Sequence, residues 1–120
     1  MRFVTVALAV VLSACAHQQT VSDRLFCGRS IPGGGTVSDA ELAAFVDEIV
    51  EPRFPVGFTM WSARGEWRGG GEDVIVFEFI HPRLEERDRA VREIADAYRR
   101  RFRQEAVLRV TTPARMELQQ

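Results

Sequence analysis

Hydrophobic and polar residues alternate along several short segments of the chain and follow helical spacing along two longer ones. The alternation is clearest at residues 74–81, where every second residue from Ile75 to Phe79 lies on one face, and this period predicts a β-strand. Apolar residues recur every three or four positions at 42–49 and at 84–103, which predicts two helices, each with one buried stripe. Weaker extended patterns predict three further strands, at residues 24–29, 56–67 and 106–111.

Signals at the ends of these segments support the two helices. Ser38 stands three residues before Glu41, which is the spacing of a capping box at a helix N-terminus. The first helix should end near Glu51, because Pro52 disfavours helical backbone in the residue before it. The second helix begins with acidic side chains and ends with arginines, in the order that the helix dipole favours.

The order of elements is strand, helix, two strands, helix, strand (βαββαβ), and glycines 69–71 predict the turn of the central hairpin. This order predicts an α+β fold, a single ferredoxin-like two-layer sandwich with two helices on one face of an antiparallel sheet. The other face of the sheet is expected to stay open. Apolar residues on it, Val74, Val76 and Ile80, would allow a homodimer.

The first fourteen residues follow a different pattern. Arg2 precedes an apolar run of about ten residues, the length of an export signal and short of the ~20 residues that cross a bilayer. The run ends in Leu12-Ser13-Ala14-Cys15, and small residues before a cysteine resemble the lipobox of bacterial lipoproteins. The resemblance implies cleavage before Cys15 and a diacylglycerol on its thiol, since sulfur is the nucleophile for the lipid.

The chain therefore divides into a signal peptide (1–14), a lipidated cysteine with a polar tether (15–23), one domain (24–112) and a loose tail (113–120). Two acyl chains, such as palmitate, hold a protein stably on a bilayer. Enteric-type sorting retains lipoproteins with aspartate after the cysteine at the inner membrane, whereas Ala16 stands there in this chain. In a double-membrane bacterium, this predicts a protein anchored on the periplasmic face of the outer membrane.

Lipidation of Cys15 would leave Cys27 without a disulfide partner, and its apolar surroundings predict a buried small hydrophobe. Without lipidation, a Cys15–Cys27 disulfide is the alternative. A single remaining cysteine and two distant histidines do not form a metal site, and no metal or cofactor is predicted.

Composition narrows the classes of function further. The formal net charge is −1, and a nucleic-acid binder would need a basic excess to exchange for counterions. The chain is 46% hydrophobic, which is enough for one modest core and too much for a disordered protein. The expected partners are the membrane, through the lipid, and an unidentified envelope protein or small ligand.

Five stretches spread over most of the domain are residues 28–35, 52–59, 65–68, 81–82 and 104–110. Together they resemble a bacterial family known only as domain-of-unknown-function family 3574, often found on lipoproteins. The resemblance implies one compact exported domain and supplies no reaction. The turn of the hairpin is shorter here than is typical of the family.

The first candidate ligand-binding residues lie before the first helix and are Arg29, Ser30, Gly33, Gly34 and Gly35. The loop lacks the Lys and Ser/Thr that a P-loop carries after its last glycine, and Ser38 stands where a dinucleotide fingerprint needs Gly or Ala. A turn that needs positive φ is therefore the favoured interpretation of the glycines. The remaining hypothesis is a weak site for a carboxylate or phosphate.

Trp67 is the second candidate, because an indole beside charged residues can stack on a sugar or an aromatic ligand; the alternative is packing at the hairpin edge. His81 is the single histidine inside the domain and the one obvious acid or base at neutral pH. A histidine at a strand end is more commonly a polar cap on the core.

Two functional hypotheses follow. The first is a lipid-anchored envelope protein that binds a ligand or partner without chemistry, through Arg29, Ser30 and Trp67. The alternative is a small envelope enzyme in which His81 is the acid or base and Arg29 holds an anionic substrate, which requires both residues in one pocket.

Overall fold

The computed structural model of the chain describes residues 19–120, so the predicted signal peptide, Cys15 and Ala16 lie outside the described residues. The elements are β1 (Thr20–Gly28), α1 (Asp39–Phe45), β2 (Thr59–Trp67), β3 (Gly70–Pro82), α2 (Glu85–Arg101) and β4 (Leu108–Ala114). A π-helical segment, Val46–Val50, continues α1 directly. Within residues 19–120, no helix has both the length and the apolar character needed to cross a membrane.

The four strands form one sheet in the order β2-β3-β1-β4, and each neighbouring pair is antiparallel. The helices pack against this sheet through the apolar stripes that the sequence predicts. The prediction of an α+β two-layer sandwich is therefore confirmed. The strands β1 and β3 occupy the centre of the sheet, and β2 and β4 form its edges.

The core lies between the helices and one face of the central strands. Its fully buried side chains include Leu25, Cys27, Phe45, Phe77, Phe79, Val91, Ile94 and Tyr98. The rings of Phe45 and Tyr98 meet edge to face with their centroids 5.3 Å apart, the arrangement that aromatic quadrupoles favour. Cys27 is buried, as its apolar neighbours predict, and this burial raises the pKa of its thiol.

The first helix begins as its capping box predicts. Ser38 Oγ accepts the Glu41 backbone N–H at 3.1 Å, and the Glu41 carboxylate accepts the Ser38 N–H at 2.9 Å. The π-helical segment ends at Val50, immediately before the predicted end at Glu51.

Strand β1 begins at Thr20, four residues before the predicted domain start at 24, so residues 20–23 are not tether. Thr20 pairs with both Pro82 of β3 and Ala114 of β4, which holds it inside the sheet. The last strand likewise runs to Ala114, past the predicted domain end at 112. The polar pair Ser22-Asp23 interrupts the apolar pattern, but both residues are buried.

The hairpin between β2 and β3 turns at Arg68-Gly69 instead of at glycines 69–71. Arg68 has φ 50° and Gly69 has φ 79°, and positive φ at both central residues is what a two-residue type I′ turn requires. Gly70 and Gly71 already belong to β3, where they pair with Trp67 and Glu66.

Candidate functional site

The sheet face that the helices leave open carries side chains in rows that cross the strands. One row contains the large residues Trp61, Val76, Phe26 and Leu108, from β2, β3, β1 and β4 respectively. The next row contains only Ala63, Val74 and Gly28. The step from large to small side chains leaves a depression in this face near the β2–β3 hairpin.

This depression is the floor of a cleft of about 710 Å³, which we call the open-face cleft. Phe26, Val74 and Leu108 provide its apolar floor. Its walls come from three connections: the end of the hairpin (residues 64–68), the start of the glycine loop (residues 30–32) and the segment between α2 and β4 (residues 104–106).

Five charged side chains line the open-face cleft, and four of them are paired. Arg64 lies 3.6 Å from Glu66, and Arg68 lies 3.8 Å from Glu105. Glu72 forms no ion pair within residues 19–120. The cleft therefore carries one uncompensated negative charge.

Glu72 lies on the cleft floor because Gly28 has no side chain. A Cβ at Gly28 would stand 2.7 Å from Glu72 Oε1, closer than real Cβ atoms approach other atoms. The carboxylate accepts the backbone N–H of Ser30 at 3.3 Å. The contact thus joins β3 to the start of the glycine loop.

Trp67 and Ser30, two of the predicted binding residues, both line this cleft. The Trp67 side chain is 64% exposed, and its cross-strand neighbour is Gly70, which leaves the indole without a side chain opposite. The guanidinium of Arg68 lies 5.7 Å from the centre of the indole ring.

Arg29 does not reach the open-face cleft. Its Nε and Nη2 donate to the Val37 carbonyl at 3.1 and 2.7 Å, and Nη2 also donates to Asp39 at 2.8 Å. The Arg29 side chain is only 15% exposed. The guanidinium therefore closes the loop onto the first turn of α1 instead of presenting itself to an anionic ligand.

The glycines Gly33, Gly34 and Gly35 have φ values of 91°, 120° and 91° and do not line the cleft. The loop closes on itself, because Gly34 N–H donates to the Ile31 carbonyl and Ile31 N–H donates to the Gly35 carbonyl, each at 3.0 Å. These glycines therefore allow the loop to adopt positive φ at three successive residues.

A second polar cluster lies on the helix-facing side, at the other end of the sheet. Asp23 has no exposed surface, and Arg109 donates to it from Nε at 2.9 Å and from Nη2 at 3.1 Å. Thr111 also donates to Asp23, and His81 Nε2 lies 2.6 Å from Asp23 Oδ2. Arg109 Nη2 reaches α2 as well, at Asp88, over 2.8 Å.

Burial, the largest influence, acts to raise the pKa of Asp23. The hydrogen bonds from Arg109, Thr111 and His81, with the positive charge of Arg109, outweigh it and hold the pKa of Asp23 below its ordinary value. This buried cluster of ion pairs and hydrogen bonds, which we call the Asp23 joint, therefore links β1, β3, β4 and α2.

His81 is a member of this joint and is 4% exposed. Its Nδ1 lies 2.8 Å from the Pro82 carbonyl, so both ring nitrogens have partners inside the protein. Val21 pairs with His81, whereas Arg29 donates its N–H to Asp73, eight residues away along β3. At ~3.3 Å a residue, this separation is about 26 Å, so His81 and Arg29 do not share a pocket.

Within residues 19–120, no group of three or more His, Cys, Asp and Glu side chains is arranged to hold a metal ion.

The Asp23 joint predicts a defined dependence of stability on pH. Because the folded-state pKa of Asp23 is lowered, its stabilising contribution is fully present above the ordinary pKa of about 4 and is lost as the pH falls below that value and through the lower folded-state pKa. Asp23→Asn should lower the free energy of unfolding by about 3 kcal/mol at pH 7. Urea unfolding of the two proteins should show that this difference becomes smaller in acid. The hydrogen bond from Arg24 also lowers the pKa of Glu78. Because Glu78 is present in both proteins, its contribution cancels in the difference between them. A difference that stays constant from pH 7 to pH 2 would contradict this prediction.

Known structures share this fold. A phage SAM lyase in complex with S-methyl-5'-thioadenosine is 18% identical, with a TM-score of 0.56 and coverage of 80% of this chain and 82% of the lyase chain. A phage SAM lyase in the apo state is 19% identical, with a TM-score of 0.55 and coverage of 78% and 79%. At this identity the likeness shows the fold alone.

No curated protein matches the chain. The sequence profile of a family described as "Protein of unknown function (DUF3574)" matches residues 22–118. This match confirms the resemblance read from the sequence, and the chain belongs to the DUF3574 family.

Proposed function

We propose that the protein is an exported, lipid-anchored envelope protein whose domain binds a ligand in the open-face cleft without transforming it. The observation that carries the binding role is the cleft itself, with an apolar floor, an exposed indole and a volume of about 710 Å³. Small-molecule sites have volumes of roughly 300 to 1,000 Å³ and combine apolar walls with a few polar groups.

The side chains that line the cleft support binding over catalysis. Within residues 19–120, these side chains include no histidine and no cysteine, the residue types that most readily act as a base or nucleophile at neutral pH. His81 is buried in the Asp23 joint, and the Cys27 thiol is buried in the core. Ser30 lines the cleft, where its backbone N–H donates to Glu72 and its carbonyl accepts from Gln104.

Export and anchoring are supported by the sequence before the described residues. A charged start, a short apolar run and Leu12-Ser13-Ala14-Cys15 together have the order that lipoprotein export requires. Ala16 favours transfer to the outer membrane in enteric-type sorting.

The anchoring proposal predicts a mature chain that begins at Cys15 and carries a diacylglycerol, measured as the mass of the denatured protein isolated from its own envelope. Cys15→Ser should keep the signal peptide and carry no lipid. Ala16→Asp should leave the lipid in place and move the protein from the outer to the inner membrane in density fractionation. An unmodified chain that still begins at Met1 would overturn the anchor, and an unchanged location of Ala16→Asp would overturn the sorting proposal.

The binding proposal predicts that native mass spectrometry of the same mature protein shows a reproducible small-molecule adduct. Trp67→Ala should reduce the adduct at least tenfold, because it removes the exposed indole from the cleft wall. Trp61→Ala is the matched control, since Trp61 lies on the same sheet face, is 39% exposed and does not line the cleft. Equal loss in both variants, or a bare wild-type protein, would contradict a ligand site at Trp67.

A second candidate is a site for S-adenosylmethionine or S-methyl-5'-thioadenosine. Two observations favour it: the fold is shared with a phage SAM lyase, and the cleft offers an indole for a flat base and an unpaired Glu72 carboxylate for a sulfonium. Under this candidate, calorimetric titration of the mature protein should give binding of S-adenosylmethionine that weakens about tenfold in Glu72→Gln. Absence of heat with both compounds at millimolar concentration would exclude it.

A further inference from the structure

We infer that the ligand of the open-face cleft has an apolar or aromatic body and a positive charge, with Glu72 as the charge that receives it. The inference rests on the proposed function in one respect, the location of the ligand in this cleft.

The charges that line the cleft point to a cation. Its two arginines each have a glutamate within 4 Å, namely Glu66 for Arg64 and Glu105 for Arg68. Glu72 has no such partner within residues 19–120, and one hydrogen bond from Ser30 N–H uses only part of what a carboxylate can accept. A cationic ligand would supply the missing charge, whereas an anionic one would face an unpaired carboxylate.

The surroundings of Glu72 make its charge effective. The side chain is half-buried beside Gly28 and above the floor residue Val74, which is itself 8% exposed. Charges interact more strongly where apolar groups exclude water. Burial is the main cause that raises the pKa of Tyr98, on the helix-facing side of the sheet, and the negative charge of Glu72 raises it further.

Trp67 supplies the second half of the same preference. Its ring has Gly70 opposite it and is 64% exposed, so its surface is open to a ligand. The guanidinium of Arg68 already lies 5.7 Å from the ring centre, within the distance at which a cation is attracted to an indole. The ring and the carboxylate thus both favour a positively charged, flat or apolar molecule.

The groups that would favour an anion are engaged elsewhere. The Arg29 guanidinium donates to Val37 and Asp39, and the N–H groups of Ile31 and Gly34 donate inside their own loop. The glycine loop therefore shapes the cleft wall, but the N–H groups of Ile31 and Gly34 are not available to bind an anion.

Three probes with one bicyclic body test the inference by NMR titration of the mature protein: the cation 1-methylquinolinium, the neutral 1-methylnaphthalene and the anion 1-naphthoate. The cation should bind about tenfold more tightly than the neutral probe, because it adds a Coulomb attraction to the Glu72 carboxylate that the neutral probe lacks. In Glu72→Gln this preference should fall to less than threefold. Glu66→Gln is the matched control and should keep it, because Glu66 is already paired with Arg64.

Gly28→Ala tests the position of the charge without removing it. The φ of Gly28 is not in the left-handed region, so alanine fits the backbone, and its Cβ would push the Glu72 carboxylate off the floor. This variant should also lose the preference for the cation while it still binds the neutral probe.

The outcomes separate this inference from the proposed function. Equal binding of all three probes, lost in Trp67→Ala, would overturn the positive charge and leave the cleft as the ligand site. Binding that Trp67→Ala does not weaken, or no binding of any probe, would overturn both. A preference that survives Glu72→Gln would assign the cation to another residue and overturn the role of Glu72.

Discussion

Two helices can cover only one face of a four-stranded sheet, and the candidate site follows from that constraint. The central strands β1 and β3 carry apolar residues on both faces, so burying one face under the helices leaves Phe26 and Val74 on the other. The small row that includes Gly28 makes that open face concave instead of flat. Connections at the same end of the sheet then wall the depression and bring Trp67, Ser30 and Glu72 around it.

The opposite end of the sheet is held by a buried carboxylate. Asp23 is removed from water, a cost that is offset because Arg109, Thr111 and His81 all direct donors to it. The joint connects three strands and, through Arg109 and Asp88, the second helix. It lies at the end of the sheet away from the cleft, and both ring nitrogens of His81 have partners in or beside it.

The local patterns predicted the helices, the cap at Ser38 and the alternation of β3, because each depends on residues close together in the chain. The start of β1 was not predictable in this way, since Asp23 interrupts the apolar pattern and its partner Arg109 lies 86 residues away. The position of Glu72 on the cleft floor was not predictable for the same reason, because it depends on Gly28, 44 residues earlier, which the β1–β3 register brings beneath it. The sequence suggested an anion site at Arg29. It could not show that the guanidinium donates to Val37 and Asp39, because those contacts depend on how the loop folds.

We propose that this protein binds its ligand in the open-face cleft, and amide chemical-shift mapping tests that location most directly. On titration of the mature protein with 1-methylquinolinium, shifts should concentrate at the β2–β3 hairpin, at residues 30–32 and at residues 104–108. The exposed face of α2 and the Asp23 joint should remain unchanged. Shifts centred on the helices or on His81, with none at Trp67 and Glu72, would contradict a ligand site in the open-face cleft.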